Sequence, residues 1–450
     1  MPTGTPFFWF IPEHWEKRCC DNGSFTLIWI VRPIQNREEL PLSYSDFIEE
    51  VCQWEGYSVG SIERWTNNGQ EEVWIELHPK DGRSMQCDSC GSRSDRVHDM
   101  TERWVRDLPI FDAQTHLLVW RCRIWCDQCG GPKLERLNWL RRNRRLTVRF
   151  EESVARLCEF TSVKHVASFY DLHWDTVKEI DKRALTARLG PIDLSGVSIL
   201  GMDEFVIQKG HRYATVIIEI PRKRVLWLGR GRSRESIRPF FEQLGRQGCK
   251  QIQAVAMDMN SAFDKEVKAQ CPNAEVVFDL FHVVAKYGRE VMDRVRVDEA
   301  NRLREDKQAR KVVKSSRWLL LRNRSNIKKE EDHIRLNELL EANQALMTVY
   351  LLKDELKQLW SHDSEQKAQE AWDQWYLQAM ESDIEPLKLF AKRLKPYLFG
   401  ILSHCKWPYH TSLLEGINNK IKVIKRRAYG YLDDEYFFLK IRDAFPGVPG

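Results

Sequence analysis

The sequence of 450 residues lacks any apolar run approaching the roughly 20 residues that a membrane-spanning helix needs. Its first residues also lack the basic-then-apolar order of a secretory signal peptide. We therefore expect a soluble cytoplasmic protein that has no membrane partner.

Cysteine and net charge are scarce as well. Twelve cysteines in such a long chain are too dilute for a disulfide scaffold, and a reducing compartment favours metal ligation over disulfides. The formal net charge is only +5, so composition alone does not indicate a nucleic-acid-binding protein. Basic residues are nevertheless concentrated in two segments, 136–149 and 420–427, so a local role in DNA binding stays open.

Two Cys-x2-Cys pairs, each followed by glycine, form the clearest motif. The first pair is Cys87 and Cys90, and the second is Cys126 and Cys129. Each pair can form a tight turn that places two thiolates on one ion, and two such turns complete a tetrahedral four-cysteine site. We therefore predict one structural Zn²⁺ ion. Three further residues are alternative ligands: Cys122, His98 and His116.

Residues 162–185 show the pattern of a helix-turn-helix. A short helix would bury Val166, a turn would fall around Asp171, and a longer helix would carry Val177. In such a unit the second helix enters a major groove, although a plain helical hairpin fits the same pattern. The basic residues predicted to contact DNA here and in the preceding linker are Lys178, Lys182, Arg183, Arg141, Arg142, Arg144 and Arg145.

Residues 197–279 predict three strands, a helix, a strand, a helix and a final strand. This is the order of a ribonuclease H-like α/β fold, in which one acid lies on the first strand and another follows the fourth. Asp203 and Asp258 occupy those two places, and Glu204 remains a rival to Asp203.

The next stretch, 284–408, is helical, highly charged and too long for a loop, so it predicts an all-α insertion. A periodic helix then follows, in which Ile417, Ile421 and Ile424 form one apolar stripe and Glu415 lies in the first turn. Basic side chains crowd the rest of this helix and are predicted to hold DNA: Lys420, Lys422, Lys425, Arg426 and Arg427.

Three acids on separate elements could converge on two divalent cations. A carboxylate on a buried strand is costly unless it is paired or binds a metal. Mg²⁺, or Mn²⁺ in its place, prefers oxygen ligands, and two ions about 3.5 to 4 Å apart can promote in-line displacement at phosphorus. We predict that Asp203 bridges both ions and that Asp258 and Glu415 each complete one coordination shell.

These pieces resemble a bacterial insertion-sequence transposase of the ISL-three family, in the DDE superfamily. The matching pieces are the paired Cys-x2-Cys, the helix-turn-helix, and the stretches LGMDEF, AVAMDMNSAF, VVFDLFHVVAK and LLEGINNKIKVIKRRAYGY. The resemblance implies that Asp203, Asp258 and Glu415 form the metal-binding triad. It also implies that Asp279 and His282 form an Asp-x2-His motif whose histidine lies near the scissile phosphate. Judged from the residues alone, the pattern favours a helix-capping or core histidine at His282 over a functional one.

We therefore expect a transposase that binds its element's inverted repeats in double-stranded DNA, cuts with water and joins the freed 3′-hydroxyl to target DNA. It would act near the nucleoid as a homodimer or larger assembly, since two ends must be brought together. The alternatives are an inactive DNA-binding regulator, a metal nuclease without joining activity and a non-enzymatic zinc scaffold. The expected domains are 1–46, an extension of unknown role; 47–135, zinc-binding; 136–190, basic linker and helix-turn-helix; 191–283, first part of the ribonuclease H-like core; 284–408, all-α insertion; and 409–450, C-terminal helix and tail of the core.

Overall fold

The structure is a computed structural model that describes residues 44–67, 69–208, 210, 212–409 and 412–448. The predicted extension 1–46 therefore lies almost wholly outside the described residues. The chain forms two compact units, Met1–Phe150 and Glu151–Gly450. Among the described residues, no helix combines the length and the apolar character needed to cross a bilayer.

The first unit is built mainly from antiparallel strands. Its elements are α1 (Tyr44–Cys52), β1 (Tyr57–Asn67), β2 (Gln70–Pro79), β3 (Met85–Gln86), β4 (Arg93–Ser94), β5 (Val97–Ile110), β6 (Ala113–Cys126) and β7 (Gly131–Leu134). The larger sheet has the order β1-β2-β6-β5, with β7 paired to β6, and only β2 and β6 are parallel. Alternate residues of β6 are buried, among them Leu117 and Val119, so one face of this sheet carries the core.

Three helices follow, and the last two form the predicted helix-turn-helix. They are α2 (Val148–Phe160), α3 (Val163–Tyr170) and α4 (Trp174–Leu189). Asp171 ends α3 in the left-handed conformation with φ 48°. Val166 and Val177 are buried, as the sequence predicts. The predicted helices and the turn between them are confirmed.

A five-stranded sheet follows the helix-turn-helix. Its elements are β8 (Ile199–Gln208), β9 (Arg212–Glu219), β10 (Arg224–Arg230), α5 (Arg234–Gln251), β11 (Ala254–Met257), α6 (Ser261–Gln270) and β12 (Glu275–Phe278). The order is β10-β9-β8-β11-β12, in which β8, β11 and β12 are parallel and the other pairs are antiparallel. Helices make both crossovers between the parallel strands, as parallel pairing requires. The predicted succession of elements is confirmed.

Helix α5 differs in length from the sequence prediction, which ends it at Gly245. The backbone does break there, with φ 73° and ψ 165°, but a second helical segment continues to Gln251. Glycine permits this positive φ without the steric cost that a side chain would add.

The rest of the second unit is helical. Its helices are α7 (Leu280–Tyr287), α8 (Asp293–Arg302), α9 (Lys307–Ser315), α10 (Arg317–Leu321), α11 (Glu330–Glu341), α12 (Gln344–Gln358), α13 (Glu365–Glu381), α14 (Glu385–Leu394), α15 (Leu398–Leu402), α16 (Ser412–Arg427) and α17 (Asp434–Ala444). One turn of π-helix, Gly288–Met292, joins α7 to α8.

The two faces of the five-stranded sheet have separate cores. Met202 and Met257 pack in the cluster that includes Phe240 of α5 and Phe263 of α6. Ile199 of β8 belongs to the opposite cluster, which also contains Leu414, Ile417 and Ile421 of α16 and Phe437 of α17. The apolar stripe predicted for α16 therefore packs on the sheet, and it brings the polar side chains of this helix to the edge of β8.

Helix α17 binds the second helix of the helix-turn-helix through a buried charge. Asp181 of α4 is only 1% exposed, and its carboxylate lies 2.6 Å from the Lys440 ammonium. The Tyr436 hydroxyl donates a hydrogen bond to the same carboxylate. Removing one partner of a buried ion pair leaves the other charge uncompensated, so this contact fixes α4 on α17.

We expect Asp181→Ala to lower the free energy of unfolding of the second unit by about 3 to 5 kcal/mol, because it leaves Lys440 buried without a counter-charge. Urea denaturation followed by circular dichroism measures the change. Glu179→Ala is the matched control, since Glu179 is exposed on the same helix and its ion pair among the described residues is a loose one, with Lys178 at 3.7 Å. Equal destabilisation by the two variants would contradict the assigned role of Asp181.

Candidate functional site

Three aspartates lie at the same level of three neighbouring parallel strands. Met202 of β8 pairs with Met257 of β11, and Met257 pairs with Phe278 of β12. The residues that follow these three are Asp203, Asp258 and Asp279. The register of the sheet therefore brings together the acids that lie 55 and 21 residues apart in the sequence, at the edge where β11 and β12 end.

Asp203 is the most thoroughly fixed member of this row. It is 8% exposed, and it accepts hydrogen bonds from Asn418 Nδ2 at 2.6 Å and from the backbone N–H of Glu204 at 2.7 Å. Burial raises the pKa of Asp203 to about 6, and the nearby carboxylates of Asp258 and Glu204 contribute in the same direction. The fold therefore holds the Asp203 carboxylate in an environment that disfavours its negative charge unless a positive charge lies nearby.

Asp258 follows β11 in a tight turn. The backbone N–H of Asn260 donates to the Asp258 carbonyl at 2.7 Å, and the Asn260 side chain caps α6. Burial also raises the pKa of Asp258, whereas the imidazole of His282 acts against that rise. Its Oδ1 atom is buried and has no hydrogen-bond partner among the described residues. A buried carboxylate oxygen in this state is suited to a cation.

His282 lies close to both buried aspartates. It is half-buried in the first turns of α7, three residues after Asp279. Its positive form lowers the pKa of both Asp203 and Asp258. Asp279 is 7% exposed at the N-cap position of α7. The sheet and α7 thus bring the Asp-x2-His residues to the aspartate row.

Glu204, the rival of Asp203, has a different environment. Its Oε1 accepts from Arg232 Nη1 at 3.1 Å, and the Arg232 guanidinium also lies 4.1 Å from the centre of the Tyr213 ring. Arg232 lowers the pKa of Asp258 and therefore lies within electrostatic range of the row. Arg232 therefore occupies one oxygen of Glu204, while its Oε2 is buried without a hydrogen-bond partner among the described residues, so Glu204 stays a rival ligand to Asp203.

Glu415 lies on α16, one turn before Asn418. Its side chain is exposed, whereas Asn418 reaches the Asp203 carboxylate. Among the described residues, the acids do not form a group of three with all ligand atoms within 4.8 Å of one another. Helix α16 therefore contacts the row through Asn418, but the Glu415 carboxylate does not converge with those of Asp203 and Asp258 among the described residues.

The donor set of this site fits hard divalent cations. Beside the row, Glu204 Oε2 and Asn418 Oδ1 are, like Asp258 Oδ1, buried without a hydrogen-bond partner among the described residues. Carboxylate and amide oxygens are the ligands that Mg²⁺ and Mn²⁺ accept, and thiols are absent from the row.

The four cysteines of the two Cys-x2-Cys pairs converge on one point in the first unit. Their sulfur atoms all lie within 4.8 Å of one another, with Cys87 and Cys129 at 3.9 Å and Cys90 and Cys126 at 3.5 Å. A tetrahedral zinc site with Zn–S bonds of about 2.3 Å has sulfur separations of about 3.8 Å. The cluster therefore has the dimensions of a structural zinc site.

Local backbone geometry explains why each cysteine pair ends in glycine. Gly91 and Gly130 have φ values of +77° and +64°, and the Gly91 N–H donates to the Cys87 carbonyl at 2.9 Å. One turn joins β3 to β4, and the other joins β6 to β7. Both turns need a left-handed residue at this position, which glycine adopts without steric cost.

The thiols of the cluster already favour partial ionisation. The Ser92 hydroxyl lies 3.0 Å from Cys90 Sγ and 3.1 Å from Cys126 Sγ, and it lowers the pKa of Cys90 to about 6. Hydrogen bonds to the sulfurs of Cys90 and Cys126, together with burial, raise the pKa of Cys129 to about 12. A cation at the centre is what allows all four sulfurs to be thiolates together.

The alternative zinc ligands have other partners. His98 Nδ1 lies 2.9 Å from an Asp99 carboxylate oxygen, His116 stacks on Trp74 at 4.3 Å, and Cys122 Sγ accepts from Arg83 at 3.6 Å. None of the three belongs to the group of converging ligand atoms that the described residues contain.

The predicted DNA-contacting arginines of the linker are on the surface of the first unit. Arg141, Arg142, Arg144 and Arg145 are all exposed. Arg142 lies 3.5 Å from Asp88, which is a weak surface pair. Their contact with DNA stays a prediction.

The basic residues of α4 are engaged within the second unit. Lys182 Nζ lies 2.7 Å from Glu435 and 3.1 Å from Asp433, and Lys178 lies 3.7 Å from Asp433. Arg183 donates to Glu151 at 2.8 Å. Phosphates would have to compete with these carboxylates, so the contact of the three residues with DNA also stays a prediction.

The cations of α16 divide into two groups. Lys420 donates to the Ala444 carbonyl at 2.7 Å, and Lys425 donates to the Val206 carbonyl at 3.2 Å, so both attach the helix to its neighbours. The members of the other group have exposed side chains: Lys422, Arg426 and Arg427.

Sequence reasoning missed Asn418 and Arg232 as neighbours of the acids. Asn418 lies three residues after Glu415, so helical periodicity places it on nearly the same face, and that spacing is the signal that could have found it. Arg232 has no comparable signal, because its position depends on the pairing of β9 with β10.

Comparison with known proteins matches the chain to three family models in succession. The zinc-finger of transposase IS204/IS1001/IS1096/IS1165 matches residues 83–129. The helix-turn-helix domain of transposase family ISL3 matches residues 135–185, and the ISL3 transposase domain of DDE type matches residues 200–441.

Two curated relatives are also insertion-sequence transposases, and each aligns with this chain over most of its length. The transposase for insertion sequence element IS1001 of Bordetella parapertussis is 54% identical over 400 residues, which is 89% of this chain and 98% of that protein. The transposase for insertion sequence element IS1557 of Mycobacterium tuberculosis is 25% identical over 384 residues, 80% of this chain and 85% of the relative. Together with the zinc-ribbon cysteines, the helix-turn-helix and the acid-bearing sheet, these matches show that the chain belongs to the ISL3 family of DDE-type transposases.

Proposed function

We propose that this transposase binds the terminal inverted repeats of an insertion sequence, cleaves the DNA strands at two metal ions and transfers the freed ends to target DNA. The observation that carries the proposal is the row of Asp203, Asp258 and Asp279 on adjacent parallel strands, with Asp203 bound to α16. Buried acids in such a row are costly unless they serve a cation.

The sheet order β10-β9-β8-β11-β12 supports a ribonuclease H-like core. We assign residues 191–283 and 409–450 to that core and residues 284–408 to an all-α insertion between its parts. The zinc-binding domain would cover 47–135, and the basic linker with the helix-turn-helix 136–190. The succession of helices α8–α15 between β12 and α16 supports this division.

Asp203, Asp258 and Glu415 would hold two Mg²⁺ or Mn²⁺ ions. Such ions supply activation of an attacking oxygen and stabilisation of the leaving oxygen in displacement at phosphorus. Asn418 orients the Asp203 carboxylate through its amide N–H. His282 compensates the negative charge of the two buried aspartates and would lie beside the scissile phosphate. Arg232, held by Glu204 and Tyr213, would bind a neighbouring phosphate.

The ends of the element would be recognised by the zinc-binding domain and the helix-turn-helix, residues 47–190. The helix-turn-helix would read base edges, while the arginines at 141–145 and the exposed cations of α16 would neutralise phosphates. Because two ends must meet, the active form would be a homodimer or a larger assembly on nucleoid DNA.

The catalytic assignment is tested with Glu415→Gln in a cleavage and strand-transfer assay on the element's own terminal DNA. Loss of a metal carboxylate should lower both products by at least about 100-fold, and the native chain should need added Mg²⁺. Glu331→Gln is the matched control, because Glu331 is an exposed acid on α11.

Three outcomes of that assay separate the candidates. Native-level products from Glu415→Gln would remove Glu415 from the triad. Cleavage without joined product would indicate a nuclease, and tight binding to the ends without any product from the native chain would contradict the proposed reaction.

The zinc site gives a second prediction. The double variant Cys87→Ser/Cys129→Ser should lose about one zinc ion per chain, since two of four tetrahedral ligands are gone. Cys122→Ser should keep its zinc, because Cys122 lies outside the converging group. Elemental analysis of the purified variants measures both. Zinc retained by the double variant, or lost from Cys122→Ser, would contradict the assignment.

A further inference from the structure

The segment 302–329 concentrates positive charge more strongly than any other feature of the helical region. It contains eleven lysine and arginine residues but only two acids, Glu305 and Asp306. Its net charge of +9 exceeds the +5 of the whole chain, so the rest of the chain is net negative. Neither the family matches nor the catalytic proposal explains this charge.

Helix α9, inside this segment, presents its cations on one face. Lys307, Arg310, Lys311 and Lys314 follow the spacing i, i+3, i+4, i+7, which aligns side chains along one side of a helix. Val313, which is 5% exposed, lies on another side of the helix and packs in the core. The three lysines are exposed. We call these four cations the α9 basic face.

The α9 basic face is not neutralised by the chain itself. Two other cations of the segment have acidic partners: Arg302 lies 2.7 Å from Glu299, and Arg317 lies 3.3 Å from Asp293. Within the described residues, Lys307, Lys311 and Lys314 have no carboxylate within 4.0 Å. The positive charge of these lysines is therefore available to a ligand.

Helix stability does not account for this arrangement either. Like charges at i,i+4 destabilise a helix, and Lys307 with Lys311 and Arg310 with Lys314 are two such pairs. Lys307 also lies in the first turn, where the helix dipole disfavours a cation. Only Lys314, in the last turn, is favoured by the dipole. Because this row of like charges lowers the stability of the helix, its presence indicates that the cations bind an external anion.

We propose that the α9 basic face is a second DNA-binding surface, which contacts the phosphates of duplex DNA without reading its sequence. From Lys307 to Lys314 the helix spans about 10 Å, at 1.5 Å per residue. That length of duplex carries about six phosphate charges, enough for all four cations. Lysine contacts to phosphate position a duplex but carry no sequence information, which suits target DNA rather than the element's ends.

The proposal rests on the proposed function only in taking DNA as the substrate. It is tested with the full-length chain and a short duplex of scrambled sequence that lacks the element's ends. Lys307→Gln/Lys311→Gln/Lys314→Gln should reduce the slope of log affinity against log salt concentration by about 2 to 3, since each phosphate that is no longer neutralised lowers the slope by about 0.9. Unchanged circular dichroism of the exposed-site variant confirms folding.

The matched control removes the same charge from the same helical region. In Lys357→Gln/Lys367→Gln/Lys388→Gln, each replaced lysine has an acid within 3.7 Å, namely Asp354, Asp363 and Asp383. The control should keep the native slope. Equal slopes for the two triple variants would overturn the proposal.

A parallel arm of the experiment separates this proposal from the catalytic one. The α9 triple variant should still bind and cut the element's ends, but it should join them to plasmid DNA at least about 10-fold less efficiently at high salt, where phosphate contacts are limiting. Normal joining at high salt would overturn the assignment to target DNA. Failure of the native chain to cut ends would instead overturn the proposed function and leave the slope comparison intact.

Discussion

The register of three parallel strands places three aspartates side by side, and the surrounding structure compensates their charge. Burial and mutual repulsion raise the pKa of Asp203 to about 6, far from the range of an exposed aspartate. The compensation comes from three separate directions. Helix α16 supplies the Asn418 amide, α7 supplies His282, and the loop after β10 supplies Arg232, which binds Glu204. Each of these elements is positioned by packing on the same sheet.

The helix-turn-helix is attached to the same group of elements. Helix α17, which follows α16 directly, holds α4 through the buried contact between Asp181 and Lys440 and through the pairing of Lys182 with Asp433 and Glu435. The predicted DNA-reading helix and the helix that carries Glu415 are therefore joined by one intermediate element.

Much of this arrangement could be predicted from the sequence, because the signals are local. The apolar runs around Asp203 and Asp258 predict strands, and the Cys-x2-Cys-Gly spacing predicts the turns that converge on zinc. The contacts of Asn418 with Asp203 and of Arg232 with Glu204 could not be predicted, since they join residues 215 and 28 positions apart. The same holds for the pairing of Lys182 of α4 with Asp433 and Glu435 at the start of α17, which joins residues about 250 positions apart. Periodicity identifies the buried side of a helix but not the element that covers its flanks.

The proposal that the aspartate row holds divalent cations can be tested by thermal denaturation with and without Mg²⁺. In Mg²⁺-free buffer at about pH 7, Asp203→Asn/Asp258→Asn should be more stable than the native chain by about 2 to 3 kcal/mol. The ordinary pKa of 3.8 lies below the folded value of about 6, so ionisation of Asp203 costs stability above that range. This difference in stability should vanish below about pH 4, where Asp203 is protonated in both the folded and the unfolded chain. Mg²⁺ should raise the melting temperature of the native chain alone. An equal rise in the double variant would contradict cation binding by Asp203 and Asp258.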